Sequence, residues 1–385
     1  MIRRAKMALI LPLLAGAMPA EAKPLPDKAA IASTAQKAMV ATGARGLAIA
    51  VIDRGKVVSV QSFGARNAKG DPLTPDTVMY GASITKALFG YFVMRLVDEG
   101  KVDLDRPIAA MLPKPLPDYG NLDAYGAWGD LAGDDRWRAI TPRMTLQHST
   151  GFANFSFLEP DGMLRIHFAP GSRYSYSGEG MILLQFALEQ GLGLDMDHEL
   201  QRLVFDPLDM PRTSLKWRPD FADNLADGWR LDGSVEPHDE RSRIRVAGSM
   251  DTTITDLANF VAAFVSGTGL GEAARAELVR PQLPIRSATQ FPVLQEDAPA
   301  SEQIEGLSAA LGVVTFAGPQ GPGFFKGGYN DSTRNMLVCL ERGQRCVLLL
   351  SNDARAEAAS PMILRSILGE TGMPWGWIYP GVKFL

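Results

Sequence analysis

The chain has 385 residues, 46% of them hydrophobic, enough to bury a large core in one two-part domain or two medium ones. Its 39 basic and 43 acidic side chains give a formal net charge of -4, and no long basic run occurs, so composition offers no electrostatic case for nucleic-acid binding.

Residues 1–22, MIRRAKMALILPLLAGAMPAEA, open with Arg3, Arg4 and Lys6, stay apolar from Met7 to Ala17 and end in Ala20-Glu21-Ala22. A basic start, a short apolar run and a small-x-small end are the layout of a secretory signal peptide. Cleavage before Lys23 and export are expected, to the periplasm in a Gram-negative host and otherwise to the cell exterior. No later stretch is long and apolar enough to span a bilayer, so residues 23–385 are expected to carry no membrane span.

Lys28 to Ala41 reads as a helix, and residues 46–64 give two strand patterns around Asp53-Arg54-Gly55, a hairpin signal. Residues 81–100, GASITKALFGYFVMRLVDEG, form a helix pattern with no polar face wide enough for a surface position, closed by Gly100 as C-cap. Lys86 falls inside that buried run. An unpaired ammonium there costs several kcal/mol or loses its proton, so the lysine has to be partnered or chemically used. Ser83, three residues earlier, puts its hydroxyl on the same helix face.

From Asp103 to about Ser301 the chain turns irregular, with Pro107, Pro113, Pro115 and Pro117 and helical stretches at 179–191, 197–205 and 253–267. The last opens on Thr253 with Asp256 three positions on, a capping arrangement. His148, His167, His198 and His238 are scattered without the H-E-x-x-H spacing, so nothing argues for a metal or a cofactor. His148 is expected to hydrogen-bond a loop to the body. Because no G-x-S-x-G elbow occurs, a histidine-dependent triad of the α/β-hydrolase kind has no support.

Strand patterns return at 310–318, 323–329, 335–341 and 345–352, followed by a helix from Ala356 to Leu368. Cys339 and Cys346 flank LERGQR, and an oxidising compartment permits a disulfide between them. A two-residue turn at Arg342-Gly343 would make them a hydrogen-bonded pair, the less favourable geometry for bridging, so a bridge and two buried thiols both stay open. Early hairpin, late strands and helices between predict an α+β fold in one domain over residues 23–385. An antiparallel sheet comes from about 23–80 and 305–385, and a mainly helical lobe is inserted over about 81–304. The cleft between the lobes is the natural place for a site.

Ser83-Ile84-Thr85-Lys86 matches S-x-x-K, a pattern too common to carry weight alone; placement strengthens it. The serine stands at a helix start, where free amides and the positive dipole end favour developing negative charge, and the lysine one turn in, where burial lowers its pKa. Two further stretches follow in order: 170-PGSRYSYSGEG-180, with Tyr176-Ser177-Gly178, and 326-KGG-328 on a late strand. Taken alone, Tyr176 reads as a packed loop tyrosine and Lys326 as an exposed edge-strand lysine. Together with 141-TPRMTLQHSTGF-152 and 247-AGSMDTTITDLANF-260, the three stretches resemble, over about residues 30–370, the serine β-lactamase and penicillin-recognising superfamily. The resemblance is to its class C β-lactamase, DD-carboxypeptidase and esterase branch.

The resemblance implies a β-lactamase/transpeptidase-like fold and a role for each residue. Ser83 would form an acyl-enzyme while Lys86 and Tyr176 accept and return its proton, with Lys86 and Lys326 stabilising the phenolate. Lys326, Gly327, Gly328 and Gly178 would border the substrate, and the oxyanion would rest between the backbone amides of Ser83 and Tyr329. Two departures stand out. Gly178 replaces an asparagine whose amide meets the lysine and a substrate amide, and Gly327 replaces a hydroxyl residue that helps hold a substrate carboxylate. Each lost hydrogen-bonding group weakens selection for a carboxylate-bearing amide. Glu179 either restores part of that polarity or simply starts the next helix. The expected function is a serine hydrolase acting on a small-molecule ester, β-lactam or peptide. A D-alanyl-D-alanine carboxypeptidase and a non-catalytic cell-wall or ligand-binding protein on the same scaffold are the alternatives.

Overall fold

The computed structural model describes residues 24–385, so the expected signal peptide lies outside the described residues. Helix α1 (Lys28–Thr42) begins where Asp27 accepts a hydrogen bond from Ala30 N at 2.8 Å, and ends where Gly43, at φ 72°, turns left-handed. The early hairpin forms β1 (Gly46–Asp53) and β2 (Lys56–Gly64), and Arg54 and Gly55 take the positive φ values, 52° and 69°, that a two-residue hairpin turn of this hand requires.

Strands β3 (Leu283–Pro284), β4 (Ser308–Ala309), β5 (Val314–Gly318), β6 (Gly321–Tyr329), β7 (Arg334–Leu340) and β8 (Arg345–Ser351) complete one eight-stranded sheet in the order β2-β1-β8-β7-β6-β5-β4-β3. Every neighbouring pair is antiparallel. The sheet is therefore closed by both parts of the chain, with Ala48 opposite Leu350 and Ile52 opposite Cys346. Along β1, Leu47, Ile49 and Val51 enter one core while Ala48, Ala50 and Ile52 enter the other. Burial on both faces is why the strand reads as an unbroken apolar run.

The remaining long helices are α2 (Thr85–Asp98), α3 (Gly178–Leu192), α4 (Ile254–Ser266) and α5 (Ser360–Leu368). α1 and α5 cover one face of the sheet, and α2, α3 and α4 share the core on the other. This is the α+β architecture expected, with an antiparallel sheet flanked by helical regions. Thr253 Oγ1 caps α4 by accepting from Asp256 N at 3.0 Å. Gly100, at φ 70°, follows the end of α2 and bonds Val97 O. Among the described residues no helix is long and apolar enough to cross a membrane.

Three boundaries differ from expectation for local reasons. The strand expected from 310 begins at Val314, because Gly312 turns at φ 85° beside the Lys86 carbonyl, whose oxygen a Cβ would overlap. The last helix splits into a 3-10 segment, Ala354–Ala359, and α5, whose first turn holds Pro361, a residue with no N–H to give a preceding helical turn. The helix expected at 197–205 is an α turn, Met196–Leu200, widening into a π turn at Gln201–Phe205.

Cys339 and Cys346 are joined in a disulfide across β7 and β8. The connecting turn spreads over residues 341–344, with Gly343 and Gln344 both left-handed at φ 75° and 47°, instead of closing on two residues. The half-cystine Cα atoms lie 4.1 Å apart, close to the spacing of a non-hydrogen-bonded pair and within reach of a bridge.

Candidate active site

Ser83 sits in a single 3-10 turn, Ala82–Ile84, that feeds α2 rather than in α2 itself. Ala82 holds φ 48°, a left-handed conformation that costs a non-glycine residue roughly 1–2 kcal/mol. Three neighbours fix it and the residues before it: Thr85 Oγ1 donates to Ala82 O at 2.5 Å, Gly81 N to Met250 O at 2.8 Å and Asn335 Nδ2 to Tyr80 O at 2.9 Å.

Lys86 is 1% exposed, with Nζ 3.2 Å from Ser83 Oγ and a second, short hydrogen bond to Ala247 O. Among the described residues it makes no ion pair. Burial, and then the nearby Lys326 ammonium, push its pKa well below the lysine range. Lys326 is likewise buried, on β6 between β5 and β7, and is no edge-strand lysine. Its Nζ donates to Gly327 O at 2.8 Å and to Tyr176 Oη at 3.4 Å, and burial lowers it to about 7.

Both ammoniums lie over the Tyr176 ring, Lys86 at 4.9 Å and Lys326 at 5.1 Å. Burial nevertheless drives the phenol upward, and the only offset comes from its hydrogen bond with Ser83. Burial thus favours the neutral phenol of Tyr176 and likewise disfavours the ammonium of Lys86. His148, at φ 58°, is buried and held neutral by that burial and by the two lysines. Its Nδ1 accepts from Ser177 N at 3.2 Å and its carbonyl from Ser175 N at 2.8 Å, so it fixes the Tyr176 loop to the body as expected.

Ser83, Lys86, Tyr176, Lys326, Gly327 and Tyr329 line one cavity of about 700 Å³. Gly178 and Gly328 do not; they pack directly behind it. A Cβ on Gly328 would stand 3.0 Å from both Ser83 N and Ile84 N, so only glycine lets β6 approach the serine turn this closely. A Cβ on Gly327 would lie 3.3 Å from Tyr379 Oη and 3.0 Å from Ile378 Cδ1, which brings a different hydroxyl to the position.

At Gly178 the ring of Phe155 fills the space, with Cε1 2.5 Å from where a Cβ would be and Cζ also in the way. Gly178→Asn is therefore expected to destabilise the protein by about 1–3 kcal/mol through overpacking. A double-mutant cycle with Phe155→Ala should show favourable coupling in thermal melts. Additive effects would mean that the ring moves aside freely.

Several cavity residues lack any sequence signal. Asn154 lines the cavity with its Oδ1 accepting from Gly178 N at 2.9 Å, Phe291 stands edge-on to Tyr176 at 5.3 Å, and Arg241, Arg243 and Arg245 lie along the opening. Glu179 does not line it. Its Oε2 accepts from Ser156 N at 3.1 Å, and burial raises it to about 7 against the pull of that amide and of Arg245. It pins the 154–158 loop to the start of α3 and restores no polarity to the cavity.

A serine and a deprotonatable lysine one turn apart, a tyrosine between two lysines and a glycine-bearing strand against the serine turn, on an antiparallel sheet with helices on both faces, define the penicillin-recognising serine-hydrolase superfamily, in its class C-like branch. The chain belongs to the beta-lactamase family, whose model matches residues 31–367. The ML-236A carboxylate methylbutanoyltransferase mlcH of Penicillium citrinum is 26% identical over 207 residues, 46% of this chain and 48% of that protein. Esterase EstB of Burkholderia gladioli is 26% identical over 178 residues, 42% of this chain and 45% of that protein. The chain thus spans less than half the length of either relative. The structure of D-alanine carboxypeptidase AmpC from Burkholderia cenocepacia superposes with a TM-score of 0.68 at 16% identity, covering 89% of this chain and 98% of that one, a likeness of fold.

Proposed function

We propose that the protein is a serine hydrolase that cleaves a small-molecule ester through an acyl-enzyme at Ser83. Ser83 Oγ attacks the carbonyl as its proton passes to Lys86 Nζ, the negative charge gathering near the amides of Ser83 and Tyr329. The leaving alcohol departs with that proton, Tyr176 relaying it. Water then attacks the acyl-serine and gives a proton to the same lysine, which returns it to Ser83 Oγ as the acid is released.

The observation that carries the reading is a fully buried lysine 3.2 Å from the serine hydroxyl with, among the described residues, no carboxylate paired to it. Ester preference over β-lactam or D-alanyl peptide draws on Gly178 and Gly327, where recognition groups are missing, and on the esterase among the relatives. We place the protein outside the cytoplasm, a reading supported by the leader-like residues 1–22 and by the Cys339–Cys346 bridge.

The test is a hydrolysis panel of a short aryl ester, a cephalosporin and a D-alanyl dipeptide, with a fluorophosphonate probe mapped by mass. Labelling at Ser83 and the highest kcat/KM on the ester are expected. A purified, folded protein that takes no label and turns over nothing would instead be a binding protein on this scaffold.

A further inference from the structure

The cavity wall beside Gly178 is aromatic, and its outer end is open to water. Phe155 lies on Gly178, and Phe157 stacks on Phe155 with centroids 5.2 Å apart and planes within 9°. Phe157 is 71% exposed and Leu158, next to it, 60%. Single exposed apolar side chains are ordinary, but a stacked pair continuous with a reactive cavity is an apolar face that a ligand can cover.

The pair rests on a fixed base. Asn154 accepts from Gly178 N and Glu179 N, each at 2.9 Å, and Glu179 Oε2 holds Ser156 N at 3.1 Å. Ile182, one turn into α3, carries the apolar wall inward. Where the resembled asparagine would meet a substrate amide, this chain presents a phenyl ring.

We propose that Phe155, Phe157 and Ile182 form a subsite for a medium-length apolar acyl chain, so that the preferred esters carry such a chain on the carbonyl Ser83 attacks. The proposal rests on the serine-hydrolase reading. Four added methylenes shielded by this wall should raise kcat/KM by about tenfold or more, since each buried CH₂ favours the bound state. The side chains of Phe155, Phe157 and Ile182 carry no hydrogen-bond donor, so chain length more than amide content should govern selectivity.

The experiment compares p-nitrophenyl acetate with p-nitrophenyl hexanoate, which share a leaving group. The wild-type hexanoate-to-acetate ratio of kcat/KM is expected to be about ten or higher, and Phe157→Ala should lower it roughly three- to tenfold. Because Phe157 is largely exposed, the variant should fold. Phe157→Leu should keep part of the preference. Calorimetry on Ser83→Ala protein reads the subsite without turnover: hexanoate should bind more tightly than acetate, and Ser83→Ala/Phe157→Ala should lose the difference. Equal binding of the two esters to Ser83→Ala, or a ratio that Phe157→Ala leaves intact, overturns the subsite. Chain-length-dependent binding with no wild-type turnover supports the subsite and overturns the hydrolase reading.

Discussion

Ser83→Ala is expected to remove turnover of whichever substrates the wild-type protein cleaves, by several powers of ten, and to abolish labelling by the fluorophosphonate. Its fold should survive. The Ser83 hydroxyl bonds Lys86 Nζ and Tyr176; when that hydroxyl is gone Lys86 keeps its hydrogen bond to Ala247 O, and Tyr176 keeps the one from Lys326 Nζ and lines the cavity, open to water. The strained residue, Ala82, is held by backbone and by Thr85 and does not depend on the serine side chain. Kinetics, intact mass and a thermal melt on one preparation decide the matter. A variant that melts like its parent and keeps near-parental activity would remove Ser83 from the chemistry.

Lys86→Arg should be almost inactive although it keeps a positive charge. A guanidinium does not give up its proton at working pH, so it cannot accept one from the serine. Its bulk and its obligatory charge also fall at a buried position where, among the described residues, no carboxylate pairs with the side chain, and the protein is expected to lose stability. Lys86→Met separates the two effects: it fills similar space without charge and should be folded and inactive. Wild-type kcat/KM should rise with pH as Lys86 deprotonates, with that limb well below the ordinary lysine range, because burial and Lys326 disfavour the ammonium.

The same shift fixes the sign of a stability trend. Between the lowered pKa of Lys86 in the folded chain and its ordinary value of 10.5, the unfolded chain binds a proton that the folded chain does not, so this residue makes stability rise with pH across that window. Lys86→Met should lack that contribution. Retention of more than about a tenth of the activity in either variant would reduce Lys86 to packing or field.

Much of the fold and of the site is legible in the amino-acid sequence, because those parts depend on periodicity and order. The apolar pattern of 81–100 buries Lys86, the Asp53-Arg54-Gly55 signal sets the first hairpin, and the late strands bring Lys326 into one cavity with Ser83. What escapes is short or set by tertiary contact. Strands β3 and β4 have two residues each and show no alternation. Ala247 contributes only a carbonyl, which no side-chain pattern marks, and Phe155 reaches Gly178 from a loop 23 residues upstream. The cost of burying a phenolate likewise depends on surroundings that only folding supplies.

The path of the sheet has a consequence for the timing of assembly. Gly46 O accepts a hydrogen bond from Ser351 Oγ across 305 residues, and β1 has β8 as its inner neighbour. A chain still being synthesised presents Ser83, Lys86 and Tyr176 long before Lys326 appears, while β1 waits for a partner not yet made. Until that partner arrives the lysines do not share a buried site, and Lys86 keeps an ordinary affinity for its proton. Such distant pairings close slowly, and the waiting strands are exposed to misassembly. On the serine-hydrolase reading proposed above, Ser83 would therefore gain its reactive surroundings only when the last strands dock.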